Sequence, residues 1–389
     1  MVSFLRKMKR ILILISLLTL GLLIVIRPAN KSYRMKNIDL FLKDQVDQGR
    51  TPSIQYAFFD TGRVIFESHY GWRDLISRKA VDASTTYHLF SITKTFTALA
   101  VLQLAQSGKI GLDKPVSTYL PVFPYPEDIT IEQLLSHTAG IPNPLPLKWI
   151  HLAEEHPSFR RDPFFAEVFK AHPKTDFEPG TKFKYSNLGY VLLGQLVEAV
   201  SGQPFEEYVN QNILARCGPG LSFELDPSSH AVGYHKWWTF TNAIFGFLID
   251  RSKYMGRKEG KWVPFKPFYN NGTAYGGLFG SASGLIRYAQ NLLDPHSVLL
   301  NNDYKEILFS EKVVRNKTTG MSLSWFTGKL KGHEYLAHAG GGGGYYCELR
   351  IYPRLGVGSV ILYNRSGMRD ERILDRADAF FITEKPRQE

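Results

Sequence analysis

The sequence predicts an α+β fold, an α/β sandwich in which one antiparallel sheet is built from both chain ends. Helices flank the sheet, and a large, mostly helical insertion separates its two halves. Three observations predict it. Strand-like runs come early, "SIQYAFFD" and "RVIFESHYG" on either side of the turn "TG" at 61–62. More come late, "MSLSWFTGKL", "HEYLAHAG", "YYCELRIYP" and "GVGSVILYN". Between about 91 and 310 the apolar periodicity is helical and the connections are loop-rich. There is no internal repeat, and no stretch reads as a linker between independent domains. A chain of 389 residues, 44% hydrophobic and 21% charged, has a globular composition.

The elements follow in order. Residues 1–10 are short and basic, and "ILILISLLTLGLLIVI" (11–26) is free of charge. As a helix that stretch spans roughly 24 Å, somewhat less than a bilayer core of about 30 Å. Arg27 stands where a signal peptidase would want a small residue, so the stretch reads as an uncleaved transmembrane anchor in preference to a cleaved signal. Four cations on each side leave its orientation open. Residues 27–34 read as a linker, and 35–385 as one domain with a sheet part (35–90 and 315–385) and a helical part (91–314).

Within that domain, "IDLFLKDQVDQG" (38–49) is an amphipathic helix stopped by Gly49. A helix starts near Ser91 and ends at Gly108. "NLGYVLLGQLVEAVSG" (187–202) carries an apolar stripe and stops at Gly202. "SGLIRYAQNLLD" starts at Ser283 and stops before Pro295, and "ERILDRADAFF" closes the chain as an amphipathic helix.

The formal charge of +11 is mostly a terminal property: residues 1–36 hold eight basic side chains and no acid, leaving +3 for the rest. No basic stripe or zinc-finger spacing points to nucleic acid. Cys217 and Cys347 are too few for a disulfide scaffold and read as unpaired, partly buried thiols. No histidine pair has metal-ligand spacing, so neither metal nor cofactor is expected.

The stretch "FSITKTFTALAVLQLA" (90–105) places Ser91 and Lys94 one helical turn apart, on one face. A serine hydroxyl needs a base within hydrogen-bond reach. Lys94 serves only if burial or nearby cations lower its pKa. Taken alone the pair is weak, because Ser91 also suits a helix N-cap. Tyr-x-Asn is weak too, occurring at "YSN" (185–187) and "YNN" (269–271), of which at least one is chance.

The order of the phrases lifts these signals. After Ser91 come "EPGTKFKYSNLGYVLLGQLVEAVSG" (178–202), "YGGLFGSASGLIRYAQNLLD" (275–294) and "HAGGGGGYYCELRIYPRLGVGSVILYN" (338–364). With "LFSITKTFTALAVLQLAQSGKIGLDKPVSTYLP" (89–121) and "ITIEQLLSHTAGIP" (129–142), the chain resembles the serine β-lactamase-like family. That family includes class C β-lactamases, D,D-peptidases, D-aminopeptidases and esterases. The resemblance covers roughly residues 35–385 and implies a β-lactamase/transpeptidase-like fold.

It also implies a serine hydrolase working through an acyl-enzyme on an ester or amide. Ser91 would be the nucleophile, with Lys94 and Tyr185 sharing protons; a lysine cation beside Tyr185 should favour its phenolate. Asn187 would hold Lys94 and the substrate carbonyl, or cap the helix that follows. The amides of Ser91 and Gly341 would form an oxyanion hole, with Gly340 beside it, and the glycine run 340–344 would leave a strand edge open.

His338 replaces the lysine common in penicillin-recognising relatives. It gives a substrate carboxylate less charge, since histidine is mostly neutral at pH 7. "LLSHTAGIP" contains His137, which the resemblance makes structural. No S-D-N motif is present, so deacylation is expected to depend on tyrosine.

A small-molecule or peptide substrate, an extracytoplasmic location and no nucleic-acid partner are expected; the oligomeric state stays open. Two alternatives remain: a D,D-peptidase acting on peptidoglycan stems, and a non-catalytic, membrane-tethered binding protein. The segment "KWWTFTNAIFGFLIDRSKYMGRKEGKWVPFKPFY" (236–269) mixes tryptophan, phenylalanine and seven basic residues. It fits a membrane-facing surface or a lid over an apolar acyl group, or simply a longer packed loop.

Overall fold

The early and late strand runs do meet in one sheet. The computed structural model describes residues 37–237, 250–366 and 373–384. The strands are β1 (Ser53–Asp60), β2 (Val64–Asp74), β3 (Lys79–Ala80), β4 (Phe326–Leu330), β5 (His333–Gly342), β6 (Tyr345–Tyr352) and β7 (Val357–Tyr363). They form a seven-stranded sheet in the order β4-β5-β6-β7-β1-β2-β3. Every neighbouring pair is antiparallel, and β1 meets β7 from Ile54↔Tyr363 to Asp60↔Val357. From Ile38 onward the chain forms a single unit.

Alternation along the strands sorts the two faces. On β1, Tyr56 Oη donates to Asp378 at 2.9 Å and Phe58 stacks on Phe381, so this face meets the C-terminal helix (Ile373–Asp378). Ser68, opposite Tyr56, donates to Asp39, so the first helix, α1 (Ile38–Asp47), covers the same face. Ala57 and Phe59 belong instead to the large core shared with the helical part.

That part is built around α2 (Thr93–Gln106), α3 (Asn187–Ser201) and α4 (Ala282–Leu293). α2 is buried from Thr93 to Leu102, as expected of a helix that is apolar all round. Ser186 caps α3 by accepting from the Gly189 N–H, and Gly202 ends it at φ 72°. Ser281 caps α4 in the same way, through the Gly284 N–H.

The middle of the chain is mostly helical as expected, with short strand pairs such as Ile150–Leu152 with Phe268–Asn270. Some expectations need correction. The run from Met321 becomes strand only at Phe326. Met321–Trp325 is buried and turned, with Ser324 at φ 74° and its N–H on the Leu135 carbonyl. The start of the final helix at 371 lies outside the described residues, and the helix ends at Asp378 instead of 381. Cys217 and Cys347 are free and buried, as expected. The apolar stretch 11–26 and the linker 27–34 lie outside the described residues. Among the described residues no helix is long and apolar enough to cross a membrane.

Candidate active site

Ser91 sits in a tight turn, Phe90–Ile92, that feeds directly into α2. It does not cap that helix: Ile92 occupies the cap position, and no side chain makes a cap bond. Phe90 adopts φ 44°, an uncommon value for a side-chain-bearing residue next to the candidate nucleophile. Leu89 anchors the turn, its N–H donating to the Leu278 carbonyl at 2.9 Å.

Lys94 Nζ lies 3.1 Å from Ser91 Oγ and 2.8 Å from the Tyr275 carbonyl oxygen. The side chain is fully buried, and that burial pulls its pKa well below the usual lysine range. The ring faces of Tyr185, Tyr190 and Tyr275 stand 4.9, 5.6 and 5.2 Å from Nζ. Such faces attract an ammonium, so the pocket favours the amine at rest yet receives the cation when it forms.

The Tyr185 side chain lies close to Ser91 and its ring is 4.9 Å from Lys94 Nζ, so all three groups converge. Its own pKa does not fall as expected. Burial raises it, because the cost of desolvating a phenolate outweighs what Ser91 offers it. Burial thus favours the phenol form of Tyr185 and the neutral amine of Lys94. His137 packs on the Tyr185 ring at 4.4 Å and accepts the Ser186 N–H at Nδ1, which holds the tyrosine at the start of α3.

Asn187 does not hold Lys94, whose hydrogen-bond partners are Ser91 and Tyr275. Nor does it cap α3, since the shorter Ser186 side chain does so from an extended backbone. Asn187 is nearly buried, with its N–H on Asn143 Oδ1.

His338 packs against Tyr185 and Phe326 and is only 1% exposed. Its Nδ1 donates to the Ala339 carbonyl at 2.8 Å. Burial first, then the Lys94 charge, push its pKa down to about 3, so it is neutral at pH 7. It thus offers a substrate neither surface nor charge.

Gly340 is buried as well. A Cβ there would overlap the Leu89 carbonyl, so its bareness lets β5 close on the Ser91 turn. Gly341 is exposed, and beyond Ala337 no residue of β5 pairs with β4. From His338 to Gly342 that edge of β5 has no strand partner among the described residues. Gly343 and Gly344 make the turn into β6 at φ 28° and 97°, packed on Phe268 and Gly233. The run is a fitted turn rather than a loose hairpin.

Sequence reasoning missed Tyr190, Tyr275 and Phe326. Tyr190 lies one turn along α3 from Tyr185 and Ser186, a spacing open to reading; Tyr275 enters by its carbonyl, which carries no sequence signal. In the second Tyr-x-Asn copy (269–271) the motif asparagine is Asn271, buried with its Oδ1 2.8 Å from His151 Nδ1, so it is structural and not idle.

The Beta-lactamase family profile matches residues 38–382. The chain belongs to the beta-lactamase family. It has the β-lactamase/transpeptidase-like fold and is a serine hydrolase. Among curated relatives, Protein flp of Staphylococcus aureus (strain MW2) is 30% identical over 361 residues, covering 90% of this chain and 67% of that protein. Penicillin-binding protein 4* of Bacillus subtilis (strain 168) is 27% identical over 157 residues, 40% of this chain and 34% of that protein.

The solved structure of a penicillin-binding protein homologue from Pyrococcus abyssi is 26% identical with a TM-score of 0.70, covering 88% of this chain and 76% of that one. D-amino acid amidase from Ochrobactrum anthropi SV3 shares the fold at 19% identity and a TM-score of 0.70, covering 88% of this chain and 95% of that one.

Proposed function

We propose that this member of the family is a membrane-tethered hydrolase, working outside the cytoplasm, that cleaves an ester or amide through an acyl-enzyme on Ser91. Residues 11–26 supply the tether. The observation that carries the reading is Lys94 Nζ, buried and 3.1 Å from Ser91 Oγ.

The neutral amine of Lys94 takes the Ser91 proton as Oγ attacks the carbonyl carbon. The ammonium so formed sits among three tyrosine faces. Tyr185 gives its phenolic proton to the departing alcohol or amine and regains one from Lys94. In the second half, water attacks the acyl carbonyl and loses its proton to the same pair, restoring Ser91. The Ser91 and Gly341 amides stabilise the oxyanion, each donor contributing about 3 kcal/mol. A peptide-like substrate would lie along the unpaired edge of β5 beyond Ala337, which favours an amide of extended shape and keeps a D,D-peptidase as the second reading. Since His338 is buried and neutral, it supplies no charge for a substrate carboxylate.

Intact-mass measurement after a panel of p-nitrophenyl esters, D-amino-acid amides and β-lactams tests this, with Ser91→Ala as control. A covalent adduct that appears only with Ser91 present is expected. No adduct and no turnover with any of the three would overturn the reading. A persistent penicillin adduct with slow release would move it to the peptidase.

A further inference from the structure

Three consecutive backbone carbonyls beside the candidate nucleophile are each claimed by a side chain from elsewhere in the chain. The Ala274 carbonyl accepts from Thr97 Oγ1 at 2.5 Å, that of Tyr275 from Lys94 Nζ at 2.8 Å, and that of Gly276 from Asn270 Nδ2 at 2.6 Å. All three donors are buried. The residues involved end a single helical turn, Thr273–Gly276, in which only the Thr273 carbonyl takes a downstream amide, that of Gly277.

Both ends of the segment are tied as well. Thr273 Oγ1 accepts from Arg161 Nη1, and that guanidinium also pairs with Glu198 and Glu206. The Leu278 N–H donates to Thr93 Oγ1 at 3.1 Å, and its carbonyl accepts the Leu89 N–H that anchors the Ser91 turn.

A neutral amine has two hydrogens and one lone pair, at the end of a stem with free rotation. Committing one hydrogen to a fixed carbonyl restricts where the lone pair points. Unless that carbonyl is fixed, the lone pair faces Ser91 only part of the time.

Resting on the assignment of Lys94 as the base, we propose that Thr97 and Asn270 are positioning residues. They clamp the carbonyls on either side of that of Tyr275, and so fix the acceptor that aims the Lys94 lone pair at Ser91. Neither residue touches the reacting atoms.

The titratable groups facing Lys94 are Tyr185, Tyr190, Tyr275, His137 and His338, all kept uncharged by burial near neutral pH. The acid limb of the pH–rate profile therefore reports Lys94.

The test measures kcat and KM for Thr97→Val, Thr97→Ser and Asn270→Leu in the full chain from about pH 5 to 9. Rates are normalised to sites titrated with a fluorophosphonate, so misfolded protein does not count. Thr97→Val and Asn270→Leu should lower kcat about tenfold to a hundredfold while KM stays within about twofold. Their acid limb should move to lower pH, because the ammonium loses a fixed acceptor. Thr97→Ser, which keeps the hydroxyl, should restore both. The near-isosteric Thr97→Val carries the test should Asn270→Leu fail to fold.

A kcat per site and an acid limb matching wild type in Thr97→Val overturn the clamp. So does a Thr97→Ser as impaired as Thr97→Val. Failure of wild type to take the probe on Ser91 overturns the nucleophile and base themselves, a separate result.

Discussion

Replacing Gly340 by alanine puts a methyl group 3.0 Å from the Leu89 carbonyl carbon and 2.9 Å from Cys347 Sγ, and closer still to the Leu89 oxygen. Carbon atoms settle at about 3.5–4.0 Å, so β5 and the turn must part by roughly half an ångström or more. The Leu89 oxygen is backbone and cannot swing aside. Overpacking of this kind costs about 1–3 kcal/mol of stability. The displacement falls between Gly341 and Ser91, whose amides would share the oxyanion, and a shift near 1 Å can cost about 100-fold in rate. We expect Gly340→Ala to lower kcat/KM for a p-nitrophenyl ester by tenfold to that 100-fold limit, with a measurable fall in Tm. Gly341→Ala is the stability control: its Cβ would meet Tyr346 Cδ2 at an ordinary 3.6 Å, so Tm should hold. A Gly340→Ala protein with wild-type Tm and wild-type kcat/KM would refute the argument that bare backbone contact sets the site.

Three further outcomes are expected. Lys94→Met should abolish turnover yet raise Tm, since it removes a buried amine. The wild-type lysine has its folded pKa below the unfolded value of about 10.4, so the unfolded state binds more protons between those two values. Wild-type stability therefore falls as pH drops through that window, and urea titrations should show the Met advantage growing toward acid pH. Tyr185→Phe should keep the fold, accept the fluorophosphonate on Ser91, and lose about 100- to 10,000-fold in kcat, read by stopped-flow and steady-state assays. Arg350→Met strands the buried carboxylates Glu348 and Asp378, with which Arg350 forms ion pairs at 3.0 and 3.8 Å, and should cost about 3–5 kcal/mol. The loss should be greater at pH 8 than at pH 5, because burial already holds the Glu348 pKa up at about 7 and the stranded acids escape charge by taking protons. Denaturant melts at the two pH values decide it.

Much of the architecture was open to reading along the chain. The strands beside "TG" and the late strands read as strands by their β-branched and aromatic runs, since a sheet covered on both faces buries nearly every position. The helix from Asn187 announced both its ends, Ser186 and Gly202, since capping is a contact between residues three or four apart. Ser91 and Lys94 shared a helical turn for the same reason. What escaped depended on partners far away in sequence. Met321–Trp325 has strand-like composition, but its Ser324 amide is taken by Leu135. Tyr185 beside a lysine suggested a phenolate, and burial reversed the sign.

By itself the sequence determined the fold class, the family and the pairing of Ser91 with Lys94 on one helical turn, because local periodicity reflects contacts made within a few residues and motif order carries the family. Only the tertiary structure decided in which direction burial moves the pKa values of Lys94 and Tyr185. It also decided that His338 and Gly340 are packing positions, and that the Lys94 amine is aimed by a carbonyl some 180 residues away. Desolvation, close backbone approach and hydrogen bonds to carbonyls act through space, and carbonyls are the same at every residue, so no pattern of side chains records them.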